Sequence, residues 1–255
     1  MTPTSPHTSW APTITWSGTI TAVSSICHGG QNRGTRELLR RERIITPDHA
    51  MCEIPIISGN ALRGRLRRAS EETLREILDY HGDLTVAAAH FLRGGGALAK
   101  AGEPLSGSRL RDLRALLPHI GIFGGAIGGR IIDGALTVSK LTPHLAETAH
   151  ITGPPSTAPA FTSTQLETYT RHDDTLDRTF PAATETDVGE SRQMVFEVES
   201  FPAGTRFAVT IGLHLPTTLE LAYFLGVWDH YRTNATIGAR RARGHGHITC
   251  DLTPT

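Results

Sequence analysis

The stretch Ile54 to Arg68, IPIISGNALRGRLRR, constrains the fold more than any other. A short apolar run suited to a buried strand passes through a Ser-Gly-Asn turn into a helix. That helix carries Arg63, Arg65, Arg67 and Arg68 within its first turns. Ser58 and Asn60 are both residue types that cap helix N-termini. Leu62, Leu66, Ala69, Thr73 and Ile77 recur at spacings of three and four, which predicts one buried face as far as Tyr80. A strand feeding such a helix belongs to a layered sheet-and-helix architecture.

The arginines raise a question of purpose. A helix N-terminus offers free N–H groups and the positive end of the dipole, and so suits phosphate. Arg63 and Arg67, four residues apart, share a face. A solvated charged face would have the same composition. Gly64 favours a ligand, because glycine inside a helix costs roughly 1 kcal/mol against alanine and suggests close approach by another backbone.

Charge is segregated along the chain. Its 255 residues balance 25 basic against 25 acidic side chains, which argues against a uniformly basic nucleic-acid binder. Yet QNRGTRELLRRER, Gln31 to Arg43, holds five arginines and two glutamates, and GARRARGHGH, Gly238 to His247, adds three arginines and two histidines. Gln165 to Glu199 runs the other way, with nine acids and three arginines. Such a chain can present a basic groove on one side and an acidic surface elsewhere. Only Lys100 and Lys140 are lysines. GC-rich codon usage accounts for the arginine total, while the clustering points to anion recognition by planar guanidinium forks.

Further strands are expected over Thr13 to Ser25, Met51 to Ile57, Ala135 to Leu141, and a hairpin of Gln193–Ser200 with Thr205–Leu213, with a last strand at His247–Leu252. Helices are expected over Leu84–Leu92, Ser108–Leu117 and Leu219–Tyr231. GGAIGGR lacks the GK[ST] of a P-loop and reads as a structural turn. Strands and helices alternate with antiparallel elements, so the fold class is α+β. Residues 1–12 read as a disordered tail, and 13–255 as one domain. About fifty residues of poor periodicity, Thr142 to Arg192, read as a functional excursion. Three well-separated cysteines form no disulfide framework and suit a reducing cytoplasm. No apolar run is long enough to span a membrane. His28 beside a glycine turn is a candidate general base or phosphate contact. Asp48 with His49 is a weak acid/base pair, and His245 with His247 lacks a third metal ligand at useful spacing.

Several of these segments together resemble the RAMP superfamily of CRISPR proteins. The shared pattern is Ile54-Pro55, Ser58-Gly59-Asn60, Leu62-Arg63-Gly64 and Arg67. In order along the chain, Cys27-His28-Gly29-Gly30 fits the family's first strand and glycine turn. GIFGGAIGGRIIDGALTVSKL looks like its Phe-Gly turn and strand, and TIGARRARGHGHI its C-terminal glycine-rich loop. The chain is most similar to the backbone subunit of effector complexes, the Cas-seven family, in its type IV version before its type III one.

The resemblance implies an RRM-like (ferredoxin-like) palm with an inserted thumb hairpin, placed at about 142–192, and peripheral helices. It implies copies stacked head to tail along CRISPR guide RNA, beside other effector subunits and a complementary target nucleic acid. No cofactor, metal or membrane enters this picture. The RNA-facing residues it implies are His28, Gly29, Gly30, Asn32, Arg33, Ser58, Gly59, Asn60, Arg63, Arg67, Tyr169, Arg171, His172, Arg240, Arg241 and Arg243. Type III relatives cut target RNA with an aspartate in the loop after the glycine turn. Here that loop, Gln31 to Arg36, has none, so binding without cleavage is expected. The alternative is a metal-independent CRISPR RNA-processing endoribonuclease of the same superfamily, with His28 as general base.

Overall fold

The computed structural model describes residues 9–97, 107–153, 158–171 and 194–255. In chain order the elements are β1 (Ile14–Ala22), β2 (Gly29–Arg33), β3 (Arg36–Leu39), β4 (Arg41–Ile45), β5 (Met51–Pro55), α1 (Gly59–Ile77), α2 (Val86–Gly94), α3 (Ser108–Leu116) and α4 (Pro118–Phe123). There follow β6 (Gly125–Ile127), β7 (Arg130–Ile132), β8 (Leu136–Val138), β9 (Thr142–Pro143), α5 (Ala149–Thr152), β10 (Gln165–Arg171), β11 (Met194–Ser200), β12 (Arg206–Leu213), α6 (Thr218–Thr233) and β13 (Ile248–Pro254).

Six of these make the palm. Strands order as β13-β1-β12-β8, with β9 also on β12, and every neighbouring pair is antiparallel. Reading β1-α1-β8-β12-α6-β13 along the chain gives the βαββαβ order of a ferredoxin-like fold. Alternation decides which side chains face the helices. Ile20 and Ala22 of β1, with Phe207, Val209, Ile211 and Leu213 of β12, are buried against Leu62, Leu66 and Ala69 of α1 and Phe224 and Val227 of α6. The intervening residues of β1 and β13, including Ser17, Thr19, Thr249 and Thr253, fall on the opposite face, where the Ser17 and Thr210 hydroxyls meet at 3.3 Å. That face carries no aromatic side chain on these two strands, unlike RRM sheets that stack bases on aromatic residues.

Each helix is held by local chemistry. The Thr217 hydroxyl accepts from the Glu220 N–H, and the Glu220 carboxylate accepts from the Thr217 N–H, a capping box at the start of α6. Glu220 is buried and also accepts from Arg114 at 2.8 Å, which fastens α3 to α6. Gly59 lets α1 touch the palm, since a Cβ there would lie 2.5 Å from the Val138 carbonyl oxygen. At Gly64 a Cβ would meet no described atom within 4 Å, so this chain's own backbone does not explain that glycine.

Arg67 corrects the sequence reading. It lies 4% exposed, not on a ligand-facing surface. Its Nε donates to Leu92 O at 2.6 Å, Nη2 to Phe91 O and Gly124 O, and Nη1 to Phe123 O at 3.0 Å. These carbonyls end α2 and α4, where helical oxygens lack intrahelical donors and the dipole is negative. Arg67 therefore closes two helices at once. Arg63 is half-buried and donates to the same Phe123 O at 2.8 Å. The tail boundary is also corrected. Ala11 is buried and its N–H donates to Pro216 O, while Ser9 O accepts from the Thr218 N–H. Residues 1–8 lie outside the described part.

This core makes two outcomes expected. Arg67→Ala should lower unfolding free energy by about 3 kcal/mol or more, because four hydrogen bonds are lost and the Leu92 and Gly124 carbonyls are left without this donor, and Arg67→Lys should not restore it. Arg68→Ala, on an exposed position, should change it by no more than about 0.5 kcal/mol; urea unfolding checks both. The second outcome concerns His119, fully buried, with Nδ1 2.8 Å from the Ser70 hydroxyl. Burial, then Arg67, push its pKa down to about 3 from 6.5. A depressed folded pKa gives stability that is present above the unfolded value and lost as pH falls toward the folded one. Stability should fall from pH 6.5 downward, and His119→Asn should flatten that acid limb in urea titrations run at successive pH values.

Candidate nucleic-acid interface

Three segments distant in sequence meet at one end of the palm. The first is the β1–β2 connection and the β2–β3 hairpin. The second is the C-terminal glycine-arginine loop between α6 and β13. The third is the base of the excursion, where β10 pairs antiparallel with β11, and β11 runs parallel to β3 in a four-stranded sheet ordered β10-β11-β3-β2. Backbone hydrogen bonds join the first two. The Ala239 N–H donates to Cys27 O, and the Gly246 N–H to Ser25 O, both at 2.8 Å. Gly238, at φ 82°, sits so close to Cys27 O that a Cβ would lie 2.3 Å away.

Arg240 is the cross-brace. Its Nη2 donates to the Glu37 carboxylate of β3 at 2.7 Å and to the Tyr169 hydroxyl of β10 at 2.9 Å. Its guanidinium lies 4.8 Å from the Tyr169 ring centroid, and that of Arg243 lies 4.9 Å from it. Tyr169 stacks on Phe196 of β11 at 5.3 Å with 13° between planes. Cation–π attraction and ring stacking thus hold the base of the excursion against the loop. Behind it, buried Glu199 of β11 accepts from the Leu39 N–H, from Arg41 and from Thr164. Burial alone would raise that carboxyl, but those bonds outweigh it and hold its pKa below the ordinary value. His245 adds a further tie, with Nδ1 2.8 Å from the Ser25 hydroxyl and Nε2 3.6 Å from Glu167.

The residues expected to face RNA divide into two groups. Asn32, Arg33, Asn60, Arg241 and Arg243 are exposed. Among the described residues, the guanidinium groups of Arg33, Arg241 and Arg243 have no carboxylate partner. The same holds for exposed Arg40 and Arg68, which the sequence reading does not single out. By contrast Arg36, Arg41, Arg43, Arg75, Arg93, Arg114 and Arg232 are ion-paired. Arg111, Arg130 and Arg206 are also exposed without such a partner but stand on other elements.

The second group is engaged within the chain. His28 Nε2 accepts the Ser58 N–H at 3.1 Å, so the imidazole caps α1 where the Ser58 side chain does not. Burial, then Arg40, lower the His28 pKa and favour this neutral acceptor form. Gly30 is needed for packing, since a Cβ would lie 2.5 Å from the Arg40 Cα, and a Cβ at Gly29 would crowd Glu37. Arg63 and Arg67 are withdrawn from the interface by their carbonyl bonds, and Gly59 by its contact with β8. Arg171 lies in β10; its side chain, and His172 with the expected thumb's residues 154–157 and 172–192, fall outside the described residues. Asp48 sits in the β4–β5 turn, where its carboxylate accepts from the Thr46 hydroxyl. Burial raises the Cys27 thiol to about 11, which leaves it a poor nucleophile at neutral pH.

No family model matches the chain, and no curated protein matches it. Among solved structures, a chain of a "Type IV-B CRISPR Complex" aligns over 95% of this chain and 90% of its own length. The two share 33% sequence identity at a TM-score of 0.65. The chain belongs to the RAMP-superfamily, Cas-seven-like subunits of type IV CRISPR complexes. Membership accounts for the ferredoxin-like palm.

Tyr169→Ala should speed amide exchange in β3 and in residues 238–246 together, because the aromatic and cationic brace is lost. Tyr169→Phe keeps the stacking and loses one hydroxyl bond, so its effect should stay within about 1 kcal/mol. Exchange mass spectrometry distinguishes the two.

Proposed function

We propose that this subunit binds CRISPR guide RNA and stacks in copies along it as the structural backbone of an effector complex, without cleaving RNA. The observation that carries the reading is the pattern of unpaired charge. Arg33, Arg40, Arg241 and Arg243 are exposed without carboxylate partners on the segments that converge around Arg240, while most neighbouring arginines are neutralised. Unpaired guanidinium groups on a braced, glycine-containing surface suit a phosphate backbone without sequence preference. Base pairing between guide and target would then supply specificity. The similar chain is itself part of a CRISPR complex, which supports a place for this one beside other subunits and further copies.

The endoribonuclease alternative needs His28 as a general base. The Nε2 lone pair of His28 is already taken by the Ser58 N–H, and the loop from Gln31 to Arg36 has no aspartate. Both observations favour binding over cleavage.

The test is purification from the native operon, with the ratio of absorbance at 260 to 280 nm and electron microscopy as readouts. The wild-type protein should carry RNase-sensitive nucleic acid in rods or filaments. The triple variant Arg33→Glu, Arg40→Glu, Arg243→Glu should fold but lose the RNA. An RNA-free wild-type monomer, or repeat RNA cut by wild type and spared by His28→Ala, would overturn the reading.

A further inference from the structure

The helical layer holds an open cleft of about 320 Å³ between the middle of α1 and the C-terminal end of α6. Ala69 and Tyr231 contribute apolar surface to it. Arg65 and Arg68 of α1 and Thr233 and Asn234 at the end of α6 contribute polar groups. Glu72 and His230 complete the lining and meet each other at 3.3 Å.

Its charge is unbalanced. Nε and Nη2 of Arg65 donate to the Thr236 carbonyl and hydroxyl at 3.1 and 2.9 Å, which fixes the fork and leaves Nη1 with no described partner. Burial, then the positive charge of Arg241, hold the Arg65 pKa below its ordinary value; Tyr231 opposes this, and Arg68 adds to it. The guanidinium groups of Arg65 and Arg68 share the cleft, with the positive charge of Arg241 near enough to act on Arg65. The acid in the cleft, Glu72, is shared with His230. Such a cluster is repulsive in the isolated chain, and an anion relieves it. The exposed amide of Asn234 and hydroxyl of Thr233 can each donate and accept hydrogen bonds, as recognition of a base edge requires. Along α1, Asn60, Gly64 and Arg68 follow one another at four-residue spacing. The open space at Gly64 continues the cleft's face toward the start of the helix.

We propose that this cleft binds a single nucleotide of an RNA strand, its phosphate on Arg65 and Arg68 and its base edge on Thr233 and Asn234. The inference rests on the RNA-binding reading and adds a pocket on the helical side of the glycine-arginine loop. Arg241 adds positive charge beside the pocket, while Arg240 of the same loop serves the brace to Tyr169.

The experiment uses the full chain stripped of nucleic acid by high salt. Adenosine 5′-monophosphate and inorganic phosphate are titrated separately by calorimetry, and an RNA oligonucleotide is titrated into the same samples. The nucleotide should bind at least roughly tenfold more tightly than phosphate, since the base adds its own contacts. Asn234→Leu should weaken the nucleotide about fivefold and leave phosphate unchanged. Arg68→Glu should abolish both. A nucleotide that binds no better than phosphate, an Asn234→Leu variant that binds normally, or displacement of phosphate by poly-glutamate but not by nucleotide would overturn the pocket. If the oligonucleotide still binds in those cases, the wider RNA-binding reading survives; if it also fails to bind wild type, that reading fails with it.

Discussion

Arg67 is the interaction on which the arrangement of the helices depends. A guanidinium buried among carbonyl oxygens is favourable only when those oxygens are well placed and numerous. Here they are carbonyls at the C-terminal ends of α2 and α4. The cation meets two helix termini whose carbonyls are only partly satisfied without it, and its planar fork sets how both approach α1. Buried His119, 5.1 Å from Phe123 between ring centroids, and Ser70 with Tyr223 extend the same polar core toward α6. The palm helices and the peripheral helices therefore share one polar centre.

A second constraint shapes the surface. Among the described residues eight arginines are ion-paired with acids, and exposed arginines without an acid partner gather where the glycine-arginine loop meets the β2–β3 hairpin and α1. Arg240 shows how finely the division runs. It is spent on Glu37 and Tyr169 to brace that junction, while its neighbours Arg241 and Arg243 remain exposed. A rigid junction with free cations around it would lose little entropy on taking up the proposed phosphate chain.

Much of the palm is legible in the sequence. The period of α1 reads directly from Leu62, Leu66, Ala69 and Thr73, β12 from its alternation and α6 from its amphipathic spacing; the hairpin expected of Gln193–Ser200 with Thr205–Leu213 does not form, because β11 pairs with β10 and β3 while β12 joins the palm sheet. The strands β2 to β4 are not, because arginines and glutamates occupy positions that usually signal a loop. The alternating exposure of β4, from Arg41 to Ile45, is the available clue. Sequence places Arg63 and Arg67 on the ligand side because their partners are carbonyls of distant helices, which no local pattern announces. Leu74, buried at i+7 from Arg67, is the sign that this face also turns inward. The excursion is legible as an insertion from its poor periodicity, but β10 within it is not, since its partner β11 and the strand beyond, β3, are remote.

The central claim is that unpaired arginines hold an RNA backbone. The most direct measurement is the affinity of the purified full chain for an unstructured RNA across a range of salt concentrations. If Arg33, Arg40, Arg241 and Arg243 each neutralise a phosphate, the logarithm of affinity should fall with the logarithm of salt with a slope of roughly −3. An affinity indifferent to salt, or no RNA binding at low salt, would contradict the account.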